Sequence, residues 1–280
     1  MSSIIVAKKD FQDAVRSRAL IGLTLLFALF TVGGSYLASE ASSIFGSGGG
    51  SSTLDLLIAL QTPASYLVPI IALFVGYGAI AGERESGSLK FLLGLPHRRR
   101  DVVLGKILGR TGVVVVSILV GFAVGLVALF AFVGSVSLRY YVLFTLMTVL
   151  FAFVYVCIGV GLSSMTRSTT RAAAGAFGFI VLFKLLWGTI GLVLMHFIEG
   201  EMLAQPMPDW YLVFVSVPPD SAFNSATSAL LNATEFANTN GFSPENLPLI
   251  AEPWFGFVLL AAWALVPLGL GIWRFDSVDL

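Results

Sequence analysis

The sequence has few charged residues and few of the side chains that most enzymes use in catalysis. Only 11% of its 280 residues are Asp, Glu, Lys or Arg, whereas 57% are hydrophobic and the mean hydropathy is +0.91. Soluble globular chains are about 25% charged and about 45–50% apolar. The surplus of apolar side chains needs a solvent other than water, which excludes a large soluble catalytic domain.

The chain also lacks a cysteine framework, a metal motif and a basic surplus. It has one cysteine, Cys157, so an intrachain disulfide or a thiolate metal cluster is excluded. The H-E-x-x-H motif of zinc hydrolases does not occur. Lys plus Arg and Asp plus Glu number 16 each, whereas a nucleic-acid-binding protein normally has more basic than acidic residues. We therefore expect no nucleic acid, metal ion or cofactor on this chain.

Six apolar runs are long enough to cross a bilayer, which takes about 20 residues per helix. They lie near residues 19–38, 64–81, 110–134, 140–163, 172–198 and 254–273. None contains Asp or Glu, as expected where an ionised carboxylate is costly. The sequence therefore predicts an all-α integral membrane protein with about six transmembrane helices, forming one domain over residues 1–280.

Basic residues are distributed unevenly among the connecting segments. Fourteen of the 16 Lys and Arg residues lie before the first span, after the last, or in the second-to-third and fourth-to-fifth connections. Because short cytoplasmic segments accumulate basic residues, we predict a cell-membrane protein with both termini in the cytoplasm.

The predicted extracytoplasmic segment 199–253 contains seven acidic residues and no Lys or Arg. A solvated acidic surface is the ordinary interpretation, and a vestibule that attracts cations is the alternative. Within it, residues 221–237 have a helical composition, with Asp220 as a candidate N-cap.

Residues 3–18 have the periodicity of an amphipathic helix. Apolar residues such as Ile4 and Phe11 recur on one side, while Lys8, Lys9 and Asp10 lie on the other. A basic amphipathic helix beside a span usually lies in the plane of the lipid headgroups, so membrane lipid is a predicted partner. The helix is either an anchor that fixes the topology or a lever that also contacts a cytoplasmic partner.

The cytoplasmic segment 82–101 is predicted to contain a short helix. Gly87 can end the second span, Ser88 can cap a new helix, and Gly94 and Pro96 can end it after about two turns. This helix carries more leucines than a solvated loop would, which predicts a groove on a partner that receives it. The alternative is a hairpin in the headgroups whose arginines only fix the topology.

The segment has the pattern E-R-E-x-G-[ST]-L-K-x-L-L-x-x-P-x-x-R-R-D-V-V-x-G-K, which resembles the permease subunits of the type-2 ABC transporter family. These are exporter-like permeases of archaea and bacteria, and the predicted six spans are similar to theirs. The resemblance implies that the short helix is a coupling helix, which docks on a separate ATPase subunit. Position by position, the motif carries over to Glu83, Glu85, Gly87, Leu92, Leu93, Pro96, Arg99, Gly105 and Lys106.

A nucleotide-binding motif of this chain's own is missing. The phosphate-binding loop requires G-x-x-x-x-G-K-[ST], but Ile107 follows Gly105-Lys106 and Arg100 stands where the first Gly would be. We therefore expect no enzymatic activity here, and ATP and Mg²⁺ bound by an ABC ATPase partner. The resemblance implies an assembly of two permease chains with two ATPase chains.

Lys184 is the charged residue furthest from the ends of its predicted span. It lies 13 residues after Arg171 and 15 before Glu199, roughly 20 Å from either end at 1.5 Å per residue. An ionisable residue at this depth is a candidate for the translocation path, and the span interiors contain no acid to neutralise it. The alternative is a lysine held by backbone carbonyls and hydroxyls.

Other classes of function fit less well. A serine hydrolase would need Ser163 or Ser164 beside His196, but these lie at opposite ends of two spans, roughly 40 Å apart. A secondary transporter would normally have carboxylates at mid-membrane or inverted repeats. The expected function is therefore an ATP-driven permease, exporting an unnamed substrate by alternating access, with a non-transporting anchor for an ATPase as the alternative.

Overall fold

The computed structural model describes residues 2–16, 18–44, 53–89, 99–132, 137–202, 207–231 and 247–277, which contain helices and no strand. The helices are α1 Ser2–Arg16, α2 Arg18–Ile44, α3 Thr53–Gly76, α4 Ala81–Glu85, α5 Arg99–Phe132, α6 Leu138–Met165, α7 Thr169–Ile180, a π-helical segment Val181–Leu186, α8 Trp187–Glu199, α9 Asp209–Ser216, α10 Pro219–Leu231, a 3₁₀ turn Leu249–Ala251 and α11 Phe255–Asp276.

Within these residues, six helical stretches are long and apolar enough to cross a membrane. Spans 1 to 6 are Leu20–Leu37, Leu60–Glu85, Arg99–Phe132, Leu138–Met165, Thr169–Glu199 and Phe255–Asp276. The predicted all-α fold with six spans is therefore confirmed. We call the end of the bundle that carries α1 and Glu83 the inner end, after the orientation predicted from the sequence, and the opposite end the outer end.

Span 3 begins 11 residues earlier than the hydropathy predicts, at Arg99 instead of residue 110. Its first three turns contain Lys106 and Arg110, whose charges interrupt the apolar run without interrupting the helix. The charges are tolerated because acidic side chains from other helices contact them, as described below. Apolar runs therefore mark the lipid-facing length of this helix and not its full length.

Span 4 is the centre of the bundle, with 67% of its most apolar 18-residue window buried, and small residues let its neighbours approach closely. A Cβ built on Gly159 would lie 3.1 Å from the Cα of Gly76 in span 2. A Cβ built on Gly161 would lie 2.6 Å from the carbonyl oxygen of Pro267 in span 6. These two glycines are needed because a side chain would not fit between the helices, and not because the backbone adopts a conformation that only glycine allows.

Helix α1 packs across the inner part of span 3. A Cβ on Gly105 would lie 2.6 Å from the Cβ of Val6, and one on Gly109 would lie 2.8 Å from the Cβ of Asp10. The first helix covers Ser2–Arg16. The periodicity places Asp10 on the polar side of this helix, but in the structure Asp10 is 6% exposed. Asp10 is buried because it forms ion pairs with span 3. The position of α1 at a headgroup layer stays a prediction.

Part of the predicted extracytoplasmic segment folds back into the bundle. Helices α9 and α10 are joined by a two-residue turn at residues 217 and 218, and we call them together the outer hairpin, at residues 209–231. Helix α10 begins at Pro219, a residue well suited to the first helical position, so Asp220 lies in its first turn and not at the predicted N-cap. The Asp220 side chain is only 13% exposed, so the solvated acidic surface predicted for 199–253 does not include it.

Candidate functional site

Two buried groups of charged side chains join different elements of the bundle. The first, which we call the inner charge cluster, consists of Asp10, Glu83, Lys106 and Arg110. Lys106 Nζ lies 2.6 Å from Asp10 Oδ1 and 2.5 Å from Glu83 Oε1. Arg110 Nε lies 3.0 Å from Asp10 Oδ2. The cluster therefore ties α1 and span 2 to span 3.

The inner charge cluster brings together two of the residues predicted from the motif, Glu83 and Lys106. The Lys106 side chain is only 7% exposed, and Gly105 beside it admits α1. Any contribution of Lys106 and Gly105 to coupling would therefore pass through α1 and span 2, because both residues are buried. A cavity of about 270 Å³ adjoins the cluster, which leaves space for its side chains to rearrange.

The motif residues Glu83 to Gly87 lie where span 2 ends and its neighbours converge. Glu85 accepts hydrogen bonds from the backbone N–H of Thr169 at 3.0 Å and from its hydroxyl at 2.5 Å, at the start of span 5. Gly87 ends the helix with φ of 77°, a left-handed conformation that favours glycine, as the sequence predicts.

Two arginines tie the same region to spans 4 and 6. Arg84 donates to the carbonyl of Thr166 at 2.9 Å, just after span 4. Arg99 donates to the carbonyl of Phe275 at 2.8 Å, at the end of span 6. The remaining motif residues Leu92, Leu93 and Pro96 lie outside the described residues, so the docking helix stays a prediction.

The second group lies deep in the bundle around Lys184. Its ammonium is 2.6 Å from Asp220 Oδ1, and the two side chains are 9% and 13% exposed. The hydroxyl of Tyr155 donates to Asp220 Oδ2 at 3.1 Å, and the ring of Tyr66 lies 4.4 Å from the ammonium. The sequence analysis found no acid to neutralise Lys184, and the structure supplies Asp220.

The contact of Asp220 with Lys184 was not predicted, because the segment 199–253, including the helix expected after Asp220, was placed outside the bundle of spans. The available signal was the apolar run Trp210–Val217, which is too short to span a membrane and too apolar for a solvated loop. Two prolines follow this run and allow the turn that places Asp220 opposite Lys184. Lys184 itself lies in the π-helical segment Val181–Leu186, a rare geometry that often marks functional sites.

Two tryptophans hold the turn of the outer hairpin. The indole of Trp187 in span 5 donates to the carbonyl of Phe214 at 2.9 Å and stacks on its ring at 4.4 Å. The indole of Trp263 in span 6 donates to the carbonyl of Val217 at 2.8 Å. Val217 is the residue that caps the end of α9, and the Phe214 carbonyl also accepts a hydrogen bond from the Val217 N–H at 3.4 Å. The turn can therefore be buried without leaving these two carbonyls unpaired.

No other chemistry is evident in the described part of the chain. No group of three His, Cys, Asp or Glu side chains there could hold a metal ion. Ser163 is buried and accepts hydrogen bonds from the backbone N–H groups of Ile80 and Ala81, at 3.1 and 3.0 Å, where span 2 is interrupted. Its hydroxyl therefore has a structural partner.

The fold and these contacts define a polytopic α-helical membrane protein whose inner helix ends are joined around the segment between spans 2 and 3. Residues 4–280 match the family model described as ABC-2 family transporter protein, and the chain belongs to that family. It is therefore an ABC transporter permease, and membership of the family implies an ABC ATPase partner.

Two curated relatives agree with this assignment. The chain is 30% identical over 277 residues to the probable ABC transporter permease protein NosY of Pseudomonas aeruginosa, a match that covers 96% of each chain. It is 32% identical over 271 residues to the protein of the same name from Stutzerimonas stutzeri, which covers 93% of this chain and 96% of the relative.

Proposed function

We propose that this chain is the membrane-spanning part of an ATP-driven exporter, in which a separate ATPase moves segment 82–101 and thereby switches the spans between inside-open and outside-open states. The observation that carries the proposal is the set of contacts at the two ends of this segment. Each contact reaches a different helix end, so a displacement of the segment is passed to most of the bundle.

The transmission can be followed contact by contact. Glu83 is bonded to Lys106 of span 3, and Arg84 to the end of span 4. Glu85 holds the first residue of span 5, and Arg99 holds the last turn of span 6. Because these hydrogen bonds and ion pairs are directional, they would couple a displacement of segment 82–101 in either direction to the contacted helices.

A pair of permease chains in the assembly is supported by the surfaces of the bundle. In the most apolar 18-residue window of each span, only 6% of the residues are buried in span 5 and 17% in span 1, compared with 67% in span 4. Their exposed side chains are mostly apolar, for example Leu29 and Leu185. Such faces can contact acyl chains or a second copy of this chain. In an assembly of two permease chains with two ATPase chains, these faces would form the contact between the two permease chains.

Asp220 removes one argument against a secondary transporter, since a carboxylate does lie at depth in the bundle. It is already bonded to Lys184 and Tyr155, however, and a coupling ion would have to compete with both. Membership of the ABC-2 family favours an ATP-driven mechanism instead.

The proposal is tested by purification with and without the partner. The chain alone should not hydrolyse ATP, and it should co-elute with an ABC ATPase when the two are produced together. Leu92→Glu should abolish co-elution because it puts a charge on the docking helix. Leu249→Glu, on an exposed residue at the outer end, is the matched control and should co-elute normally. If Leu92→Glu leaves the complex intact, the docking assignment is wrong.

A further inference from the structure

The outer part of the bundle divides into two packed units. In the first, α9 lies along span 5. The Gly191 position in span 5 accommodates the ring of Tyr211, Trp187 stacks on Phe214, and the indole of Trp210 donates to Glu199 Oε1 at 3.1 Å. These contacts run in register along the whole length of α9, so α9 belongs with span 5.

In the second unit, α10 lies against spans 2, 4 and 6. The ring of Phe223 stacks on Phe151 of span 4 at 4.2 Å. Gln61 of span 2 donates to the side chain of Asn224 at 2.7 Å. A Cβ on Gly256 of span 6 would lie 2.5 Å from the carbonyl oxygen of Ala222, so these two helices are in backbone contact.

The Lys184–Asp220 pair crosses from one unit to the other. Elsewhere this boundary is largely aromatic, with the rings of Phe179 and Phe183 edge-on to Trp263 at 5.4 and 5.0 Å. Aromatic contacts of this kind can slide, whereas an ion pair has one favoured geometry. The pair is therefore the ionic contact that fixes the closed arrangement of the two units, beside the hydrogen bond from the Trp263 indole to the Val217 carbonyl at the turn between α9 and α10.

Span 5 has the features of an element that moves. It is the least buried of the six spans found in the described residues. Its α-helical halves meet at the π-helical segment Val181–Leu186, where the hydrogen-bond pattern changes and the helix can bend. Lys184 lies within that segment, so bending there displaces the ammonium from Asp220.

We propose that the Lys184–Asp220 pair is the latch of an outer gate, which opens when span 5 and α9 move away from α10 and spans 4 and 6. This inference rests on the proposed function and assigns a role to the outer hairpin. Asp220 is a positioning residue that acts through Lys184. When the pair parts, Asp220 keeps the hydroxyl of Tyr155 on span 4 as a hydrogen-bond donor.

The gate can be tested by cysteine accessibility in the permease–ATPase complex in lipid vesicles. Cys157 is replaced by Ala, and Thr227→Cys serves as the reporter, since Thr227 is fully buried and lies two turns from Asp220 on the same face of α10. A membrane-impermeant maleimide is added from outside. The reporter should react slowly without nucleotide and about tenfold faster during ATP turnover, a change equivalent to about 1.4 kcal/mol in the closed-to-open equilibrium.

Variants of Lys184 and Asp220 distinguish a pair that holds the gate closed from a pair that only stabilises the fold. Lys184→Met with Asp220→Asn removes both charges and leaves no buried charge unpaired, so this double variant should fold and react quickly without ATP. Lys184→Arg keeps the pair and should react slowly. Glu199→Ala removes the acceptor for the Trp210 indole, a contact within one unit between span 5 and α9, and should also react slowly.

Two results would overturn the gate. One is a double variant that reacts as slowly as the parent in the absence of ATP. The other needs no variant of the pair: a parent reporter that stays unreactive while the complex hydrolyses ATP. If the proposed function is wrong, the chain will not co-elute with an ABC ATPase. The reactivity of the parent and the variants can still be compared without nucleotide in that case, so the two failures are distinguishable.

Discussion

Removing Lys106 should destabilise the protein chiefly through Glu83. Lys106→Met leaves two carboxylates without their shared ammonium, and breaking a buried ion pair costs about 3–5 kcal/mol. Asp10 retains Arg110 at 3.0 Å, whereas Glu83 retains no ion pair among the described residues. Because the Glu83 side chain is 28% exposed, water compensates in part, and we expect a loss of about 2–3 kcal/mol.

The structure also predicts which second change restores stability. Glu83→Gln should recover most of the loss in the Lys106→Met background, while Asp10→Asn should recover little and should leave Arg110 unpaired instead. Apparent melting temperatures in detergent, followed by size-exclusion chromatography after heating, give the comparison as a double-mutant cycle. Lys9→Met, on an exposed residue of α1, is the control and should be neutral.

The reasoning is refuted if Lys106→Met melts at the temperature of the parent. It is equally refuted if Asp10→Asn restores more stability than Glu83→Gln. Either result would mean that the cluster does not hold the charges in the arrangement that the distances indicate, and the transmission through Glu83 would lose its support.

Two further changes test the packing around span 4. Gly161→Ala should destabilise the protein by about 1–3 kcal/mol, since the added methyl group would lie 2.6 Å from the Pro267 carbonyl oxygen. Gly178→Ala is the control: it has open space around it and should change stability by less than about 0.5 kcal/mol. Thermal melting of the two variants gives the comparison. Ser163→Ala should cost about 1–3 kcal/mol, because the N–H groups of Ile80 and Ala81 lose their acceptor, and faster hydrogen exchange at these two amides is the specific readout.

The parts of the fold that follow from local pattern could be predicted from the sequence. The six spans follow from apolar length, and the helix end at Gly87 follows from the freedom of glycine to adopt positive φ. The motif identified Glu83 and Lys106, although not that they contact each other. In each case the information lies within one stretch of chain.

The parts that depend on distant pairing could not be predicted. Asp10 looked like a solvated residue because its partners are 96 and 100 positions away, in a stretch whose charges also hid the true start of span 3. Asp220 looked like the N-cap of a helix outside the bundle because its partner Lys184 lies in another segment. Periodicity reports which face of a helix is apolar, but it carries no information on which charge will be neutralised.

Both buried lysines pair with an acid on a helix that does not span the membrane: Lys106 with Asp10 of α1, and Lys184 with Asp220 of α10. Acyl chains are as apolar as leucine, so apolar packing alone gives such helices little reason to stay in one place on the bundle. An ion pair supplies a directional contact that can break and re-form. The Lys106–Asp10 pair lies where the ATPase is proposed to act, and the Lys184–Asp220 pair lies where the outer gate is proposed to open. The equal numbers of basic and acidic residues therefore include charges that neutralise each other at the two contacts that transport would have to change.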